Sequence, residues 1–185
     1  MEQIFEITLD EPEGTITRRV FPLVLTPQNL QTFWDKARHY PIIYGRQVIE
    51  NVDDFLKIFL VDKGTEYELN GMLWVVDNFV GMFYLSDITS TEAYVHYTFF
   101  DRRHKGRIPL VREMMKYVFN RYGFQRLNVE IPLYSGEGVR HFIIDCGFIY
   151  EGKKRACMPY KGKWFDANLY GILRGEVLKN GSAKD

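Results

Sequence analysis

Between residues 109 and 123 the chain repeats its apolar side chains at a helical period. Leu110, Val111, Met114, Met115, Val118, Phe119 and Tyr122 fall on one face of a helix with 3.6 residues per turn. Pro109 fits the first helical position, and Gly123 fits the left-handed cap that closes a helix. Ala93–Phe100, just upstream, alternates and is rich in aromatic residues, so it reads as a strand. Leu127–Ile131, just downstream, reads as a short buried strand. A strong helix held between two strands commits this part of the chain to an α/β fold.

The flanking segments extend that pattern. Ile4–Leu9 and Val20–Leu25 read as strands. Thr26 and Pro27 read as the N-cap and first residue of a helix running to about Tyr40. A second helix is expected over Val52–Val61, where Phe55, Leu56, Phe59 and Leu60 share a face. Met72–Val76, a turn at Asp77–Asn78, and Phe79–Leu85 form a hairpin. A further helix runs from about Gly136 to Cys146, with Val139, Phe142, Ile143 and Cys146 on its apolar face and Gly147 as its stop. Phe148–Cys157 and Asn168–Leu173 are the last strands, joined by a polar loop around Lys161–Lys163. The order predicts a mixed central β-sheet flanked by helices in one domain, residues 1–178. Residues 179–185 read as a frayed tail.

Composition narrows the function classes. At 185 residues with 46% hydrophobic side chains, the chain fills one ordinary core and is neither disordered, collagen-like nor a coiled coil. No apolar run approaches the ~18 residues of a membrane span. The acidic, alternating start is not a signal peptide, and with only two cysteines a reducing cytoplasm is the expected location. Cys146 and Cys157 make neither a disulfide framework nor a four-ligand zinc site, and no metal is expected. Both cysteines are expected in the core.

The net charge of zero hides a division. Residues 1–101 carry 7 Lys+Arg against 16 Asp+Glu, a balance of −9, and residues 102–185 carry 17 against 8, a balance of +9. A basic half suits phosphates or a nucleic acid, and an acidic half suits a cationic substrate. The basic residues include a dense loop, Asp101-Arg102-Arg103-His104-Lys105-Gly106-Arg107-Ile108, at the start of the strongest helix. Helix N-termini present unpaired N–H groups and a partial positive charge, and a glycine lets a phosphate approach the backbone. The loop is not a Walker A motif, because the Gly-Lys-Ser/Thr end is missing. With one glycine it is not a dinucleotide fingerprint either.

Arg103-His104-Lys105-Gly106-Arg107-Ile108 resembles the acyl-CoA signature of the GNAT acetyltransferase superfamily, Gln/Arg-x-x-Gly-x-Gly/Ala, at the place between strand and helix where that family carries it. Gly147-Phe148, Glu151-Gly152, Arg155, Gly162, Trp164, Asp166, Tyr170 and Leu173 are similar to the C-terminal strands of its ribosomal-protein N-terminal acetyltransferase branch. The resemblance covers about residues 71–178 and implies acetyl-CoA as donor and a primary amine as acceptor. It implies pantetheine paired with the strand near Thr98 and Phe99, and a pyrophosphate on the backbone N–H groups of Lys105 to Ile108, with Arg103 and His104 in the same loop. The cofactor would then lie between the ends of Ala93–Phe100 and Leu127–Ile131. The chain departs from the family at Ile108, where the signature has Gly or Ala. The family's Asn falls on Ser135 or Gly136, its later Ser on Gly138 or Val139, and its Tyr on Ile143.

An amine must be neutral to attack a thioester, so a base is sought. His96 shares a strand face with Tyr94 and Thr98 and titrates near neutrality. Glu92 is a weaker candidate. Tyr134 is the candidate proton donor to the leaving thiolate, with Ser135 beside it. His141 is expected to face solvent. Tyr160, Trp164 and Phe165 surround Lys161-Gly162-Lys163, a combination that can bind single-stranded nucleic acid. Here the aromatics are expected to cover the sheet instead, so nucleic acid is not an expected partner. The expected partner is a cationic amine, with a homodimer left open. The alternative function is a catalytically reduced GNAT-fold binding module, with or without affinity for acyl-CoA.

Overall fold

A computed structural model describes residues 4–11, 14–40, 51–64, 67–101 and 105–179. The chain forms an eight-stranded mixed sheet with helices and divides into two compact units, residues 1–86 with 96–105 and residues 87–95 with 106–185.

The first unit opens on an antiparallel hairpin, β1 (Phe5–Glu11) with β2 (Gly14–Pro22), in the register Phe5↔Val20 to Glu11↔Gly14. The stretch Gly14–Arg19 is therefore strand through pairing with β1, and β2 ends at Pro22, the last residue paired with the strand Met72–Val76, so Leu23–Leu25 is not strand. Helix α1 (Pro27–Ala37) begins as expected, with Thr26 Oγ1 accepting from Asn29 N at 3.2 Å. It ends before Tyr40. Helix α2 (Val52–Phe59) is capped by Asn51, whose Oδ1 accepts from Asp54 N at 3.0 Å. It stops short of Val61 because Leu60–Asp62 (β3) turns to pair with Tyr67–Leu69 (β4), a small sheet the sequence reading missed. β5 (Met72–Val76) and β6 (Gly81–Ser86) form the predicted hairpin, though its turn is longer, Asp77–Val80, with Asp77 and Phe79 at positive φ. Both strands lie mid-sheet and are buried on both faces, which explains their unbroken apolar runs. The core of this unit is aromatic. Phe33 meets Phe55 at 4.7 Å and Phe59 at 5.1 Å, beside Leu73, Val75, Met82 and Tyr84.

Strand β7 (Glu92–Phe99) gives its first half to the second unit and its second half to the first. The first half pairs with β8 (Arg126–Pro132) in the parallel register Glu92↔Arg126, Ala93↔Leu127, Tyr94↔Asn128. Parallel neighbours need a crossover, supplied by α3 (Arg107–Tyr122). All six of its predicted apolar residues from Leu110 to Phe119 are buried. Gly123 closes it at φ 75 as expected. The helix starts earlier than read: Pro109 is its third residue, which is tolerated because first-turn N–H groups have no intrahelical acceptor. A 3₁₀ turn, Leu133–Ser135, leads to α4 (Glu137–Asp145), one residue inside each expected end. β9 (Ile149–Tyr160) and β10 (Lys163–Leu173) form a longer hairpin than predicted, because residues 158–160 and 163–167 are strand too and only Lys161–Gly162 is left as the turn. The strand order across the sheet, β1-β2-β5-β6-β7-β8-β10-β9, leaves β9 at an edge. Lys179, read as tail, ends a further helix, α5 (Arg174–Lys179), and the rest of that predicted tail lies outside the described residues. Among the described residues no helix is long and apolar enough to cross a membrane.

Candidate active site

In the first unit, β7 carries His96, Thr98 and Phe99. His96 Nε2 lies 2.9 Å from Ser86 Oγ, and its ring sits 5.6 Å from the Tyr84 ring. Ser86 and Tyr84 alternate onto the same side of β6, so the hairpin neighbour fixes both the plane of the imidazole and one of its nitrogens. His96 as a residue is exposed. Sequence reasoning missed Ser86 and Tyr84, since only cross-strand register reveals them. Phe99 packs edge-on against Phe83 at 6.2 Å. Gly81 allows the close approach: a Cβ there would lie 2.8 Å from Phe99 Cδ1 and 3.1 Å from Thr98 O. Phe100 N donates to Val80 O at 2.9 Å, which ties the end of the strand to the turn.

Arg103 and His104 lie outside the described residues. Lys105 is exposed. Gly106 caps α3 in the left-handed conformation, φ 74 and ψ 18, which favours glycine. Its carbonyl accepts from Leu110 N at 3.1 Å. No side chain caps this helix end, and Pro109 has no N–H, so Arg107 and Ile108 are the first-turn residues whose N–H groups can take an anion. Ile108 is half-buried. The Arg107 guanidinium stands 5.7 Å over the Phe142 ring of α4, a cation–π contact that orients it. The loop glycine and the helix end thus fit a phosphate group.

Elsewhere in the second unit, Tyr134 stacks on Tyr160 at 4.4 Å and meets Phe165 edge-on at 5.2 Å. Burial, then the neighbouring Tyr160 and Cys157, pushes its phenol above the usual value, so it stays protonated and able to donate. The hydroxyl of Ser135 is buried and has no hydrogen-bond partner among the described residues. Glu92 is engaged: its Oε2 accepts from Asn128 Nδ2 at 2.9 Å and lies 3.6 Å from Arg126 Nε. Arg126 also pairs with Glu151. That network explains Glu92 as a structural carboxylate. His141 is exposed, as expected.

Cys146 is 2% exposed, and burial pushes its thiol up to about 12. A thiol in that state is no nucleophile at neutral pH. Cys157 is only half-buried, a departure from the expected core position, and its Sγ donates to Lys154 O at 3.4 Å. Among the described residues no group of three or more His, Cys, Asp or Glu could hold a metal.

A mixed sheet whose parallel β7–β8 pair is crossed by a helix, opened by a left-handed glycine, defines an α/β fold of the acetyltransferase class. The family model of the acetyltransferase (GNAT) domain matches residues 26–169, and the chain belongs to that family. Spermidine N-acetyltransferase from Vibrio cholerae, crystallised in complex with CoA and spermine, shares the fold. It is 18% identical with a TM-score of 0.67, over 86% of this chain and 98% of that one. The ribosomal-protein-S5-alanine acetyltransferase from Vibrio fischeri is 15% identical with a TM-score of 0.64, over 90% of this chain and 96% of that one. No curated protein matches the sequence significantly.

Proposed function

We propose that residues 1–178 form an N-acetyltransferase domain that moves an acetyl group from acetyl-CoA to a cationic primary amine. The observation that carries this is the start of α3: Gly106 in a left-handed conformation, an uncapped helix end, and basic side chains on both sides. The signature's remaining basic residues and the strand residues Thr98 and Phe99 complete the donor site in this reading. Similarity to enzymes named for spermidine and for a ribosomal protein's alanine supports an amine acceptor, and the acidic first half of the chain supports a cationic one.

In the reaction the neutral amine attacks the thioester carbon, the C–N bond forms and the thiolate leaves. The amine's proton passes to His96, directly or through water. Tyr134 supplies a proton to the sulfur. Positioning does most of the work, since orientation alone can supply ~7–11 kcal/mol of such a barrier. No acyl-enzyme forms in this reading, because Cys146 is buried and protonated and Cys157 sits on the late strand β9, not at the basic turn before α3.

Two measurements test this. Acetyl-CoA at 100 times its dissociation constant should stabilise the fold by ~2.7 kcal/mol. A panel of amines should include a substrate, and His96→Gln should slow its acetylation by ~10²–10⁴-fold and flatten the pH profile. Ile108 and the missing Asn favour one second reading, the reduced binding module. Stabilisation by acetyl-CoA with no amine acetylated would select it, and no stabilisation would reject both donor-binding readings.

A further inference from the structure

The expected covering of the sheet by the hairpin aromatics is only partly realised. Tyr160 and Phe165 do pack, both against Tyr134. Trp164 does not: paired across from Pro159, it is 67% exposed. The tip that carries it is stiff. Lys161 at φ 47 and Gly162 at φ 72 make a two-residue left-handed turn between the paired residues Tyr160 and Lys163, a geometry matched to strand twist. The Tyr134–Tyr160–Phe165 cluster braces its base.

The hairpin is also positively charged, with Lys161 and Lys163 at its tip and Arg155 five residues before Tyr160 on β9. Arg155, Lys161 and Lys163 have no ion-pair partner among the described residues, and Lys161 Nζ lies 5.3 Å over the Tyr160 ring. The nearby carboxylates are committed. Asp166 accepts from Ala156 N at 2.9 Å and pairs with Lys153 at 3.8 Å, while Glu130 holds Lys154 at 2.8 Å.

From these observations we infer that the tip of the β9–β10 hairpin binds single-stranded nucleic acid, with a base stacked on Trp164 and backbone phosphates on Arg155, Lys161 and Lys163. An exposed ring one residue from Lys163 and three from Lys161, at a hairpin tip a flexible strand can wrap, suits a strand whose base faces are open and does not suit a duplex, which hides them. An anionic bilayer instead favours several apolar side chains presented together. The other exposed apolar residues of this hairpin, Ile149, Tyr150 and Leu173, lie at its far end. The inference needs no transferase activity.

The full chain suits a direct test, because among its three tryptophans Trp74 is buried and Trp34 half-buried, leaving Trp164 as the solvent reporter. A labelled dT12 oligonucleotide should bind at low salt, with saturable quenching of tryptophan emission. Log affinity should fall with log salt at a slope near −2, about −0.7 for each of three phosphate contacts. Trp164→Ala should weaken binding roughly 5- to 150-fold, the range spanned by base–aromatic stacking. Lys161→Glu with Lys163→Glu should abolish it. Both sites are exposed, and unchanged far-UV circular dichroism would show the variants folded. Absence of dT12 binding overturns the inference. So does binding that Trp164→Ala leaves intact and heparin matches, which would mean a general polyanion effect. Binding to phosphatidylserine vesicles with blue-shifted emission but not to dT12 would transfer the surface to lipid.

Discussion

Replacing Gly81 with alanine tests the packing that positions the proposed donor strand. The added Cβ would lie 2.8 Å from Phe99 Cδ1, 0.6 Å inside the 3.4 Å at which ordinary contact begins, and 3.1 Å from Thr98 O, 0.3 Å inside it. The phenyl ring can rotate, but only by giving up its edge contact with Phe83, worth ~0.5–1.5 kcal/mol. The carbonyl moves only with its strand. Overpacking of this kind costs ~1–3 kcal/mol, so Gly81→Ala should destabilise the protein by about that amount. At ~2–4 °C per kcal/mol for a chain of this size, Tm should fall by ~2–12 °C. If Thr98 and Phe99 hold pantetheine, calorimetric titration should also show weaker CoA binding. An unchanged Tm would refute the packing argument. A lower Tm with unchanged CoA affinity would keep the packing and refute the donor-strand assignment. Gly138→Ala is the counterpart: a Cβ there meets nothing within 4 Å, so relief of a helical glycine should stabilise α4 by up to ~1 kcal/mol.

Gly106→Val forces a β-branched residue into a left-handed position, φ 74, at a cost of ~1–3 kcal/mol, and should weaken acetyl-CoA binding. Unchanged affinity in a folded variant would remove the phosphate site from this turn. Tyr134→Phe keeps the ring stack and removes the hydroxyl, so kcat should fall while KM for acetyl-CoA holds. Because burial raises this phenol, parent activity should show no alkaline loss from it below its usual pKa near 10. A variant as fast as the parent would exclude Tyr134 as donor. Cys146 ionises near 9.0 when unfolded and at about 12 when folded. Between those values only the unfolded state loses the proton, so stability should drop as pH rises, by ~1.4 kcal/mol per pH unit from this group. Urea melts should show this pH-dependent drop in the parent and not in Cys146→Ala, which differs below the window only by a constant loss from the missing buried sulfur.

The elements whose cause is local were legible in the sequence. Helix α3 announced itself through a 3.6-residue apolar period and Gly123, and α1 through Thr26 and Pro27, because caps and periodicity act over a few residues. Gly106, the glycine singled out before α3, takes the left-handed conformation for the same local reason. Tertiary structure decided what depends on a partner far along the chain. Gly14–Arg19 is polar and became strand only against β1, and β3 and β4 exist only as a pair. His96 acquired Ser86 and Tyr84 through the register of a neighbouring strand, and Glu92 was claimed by Arg126 and Asn128 across the parallel pair. In the β9–β10 hairpin the sequence showed aromatic and basic residues together. Which rings would be buried depended on side-chain alternation and on Tyr134, supplied from before α4, so Tyr160 and Phe165 turned inward and Trp164 stayed in water.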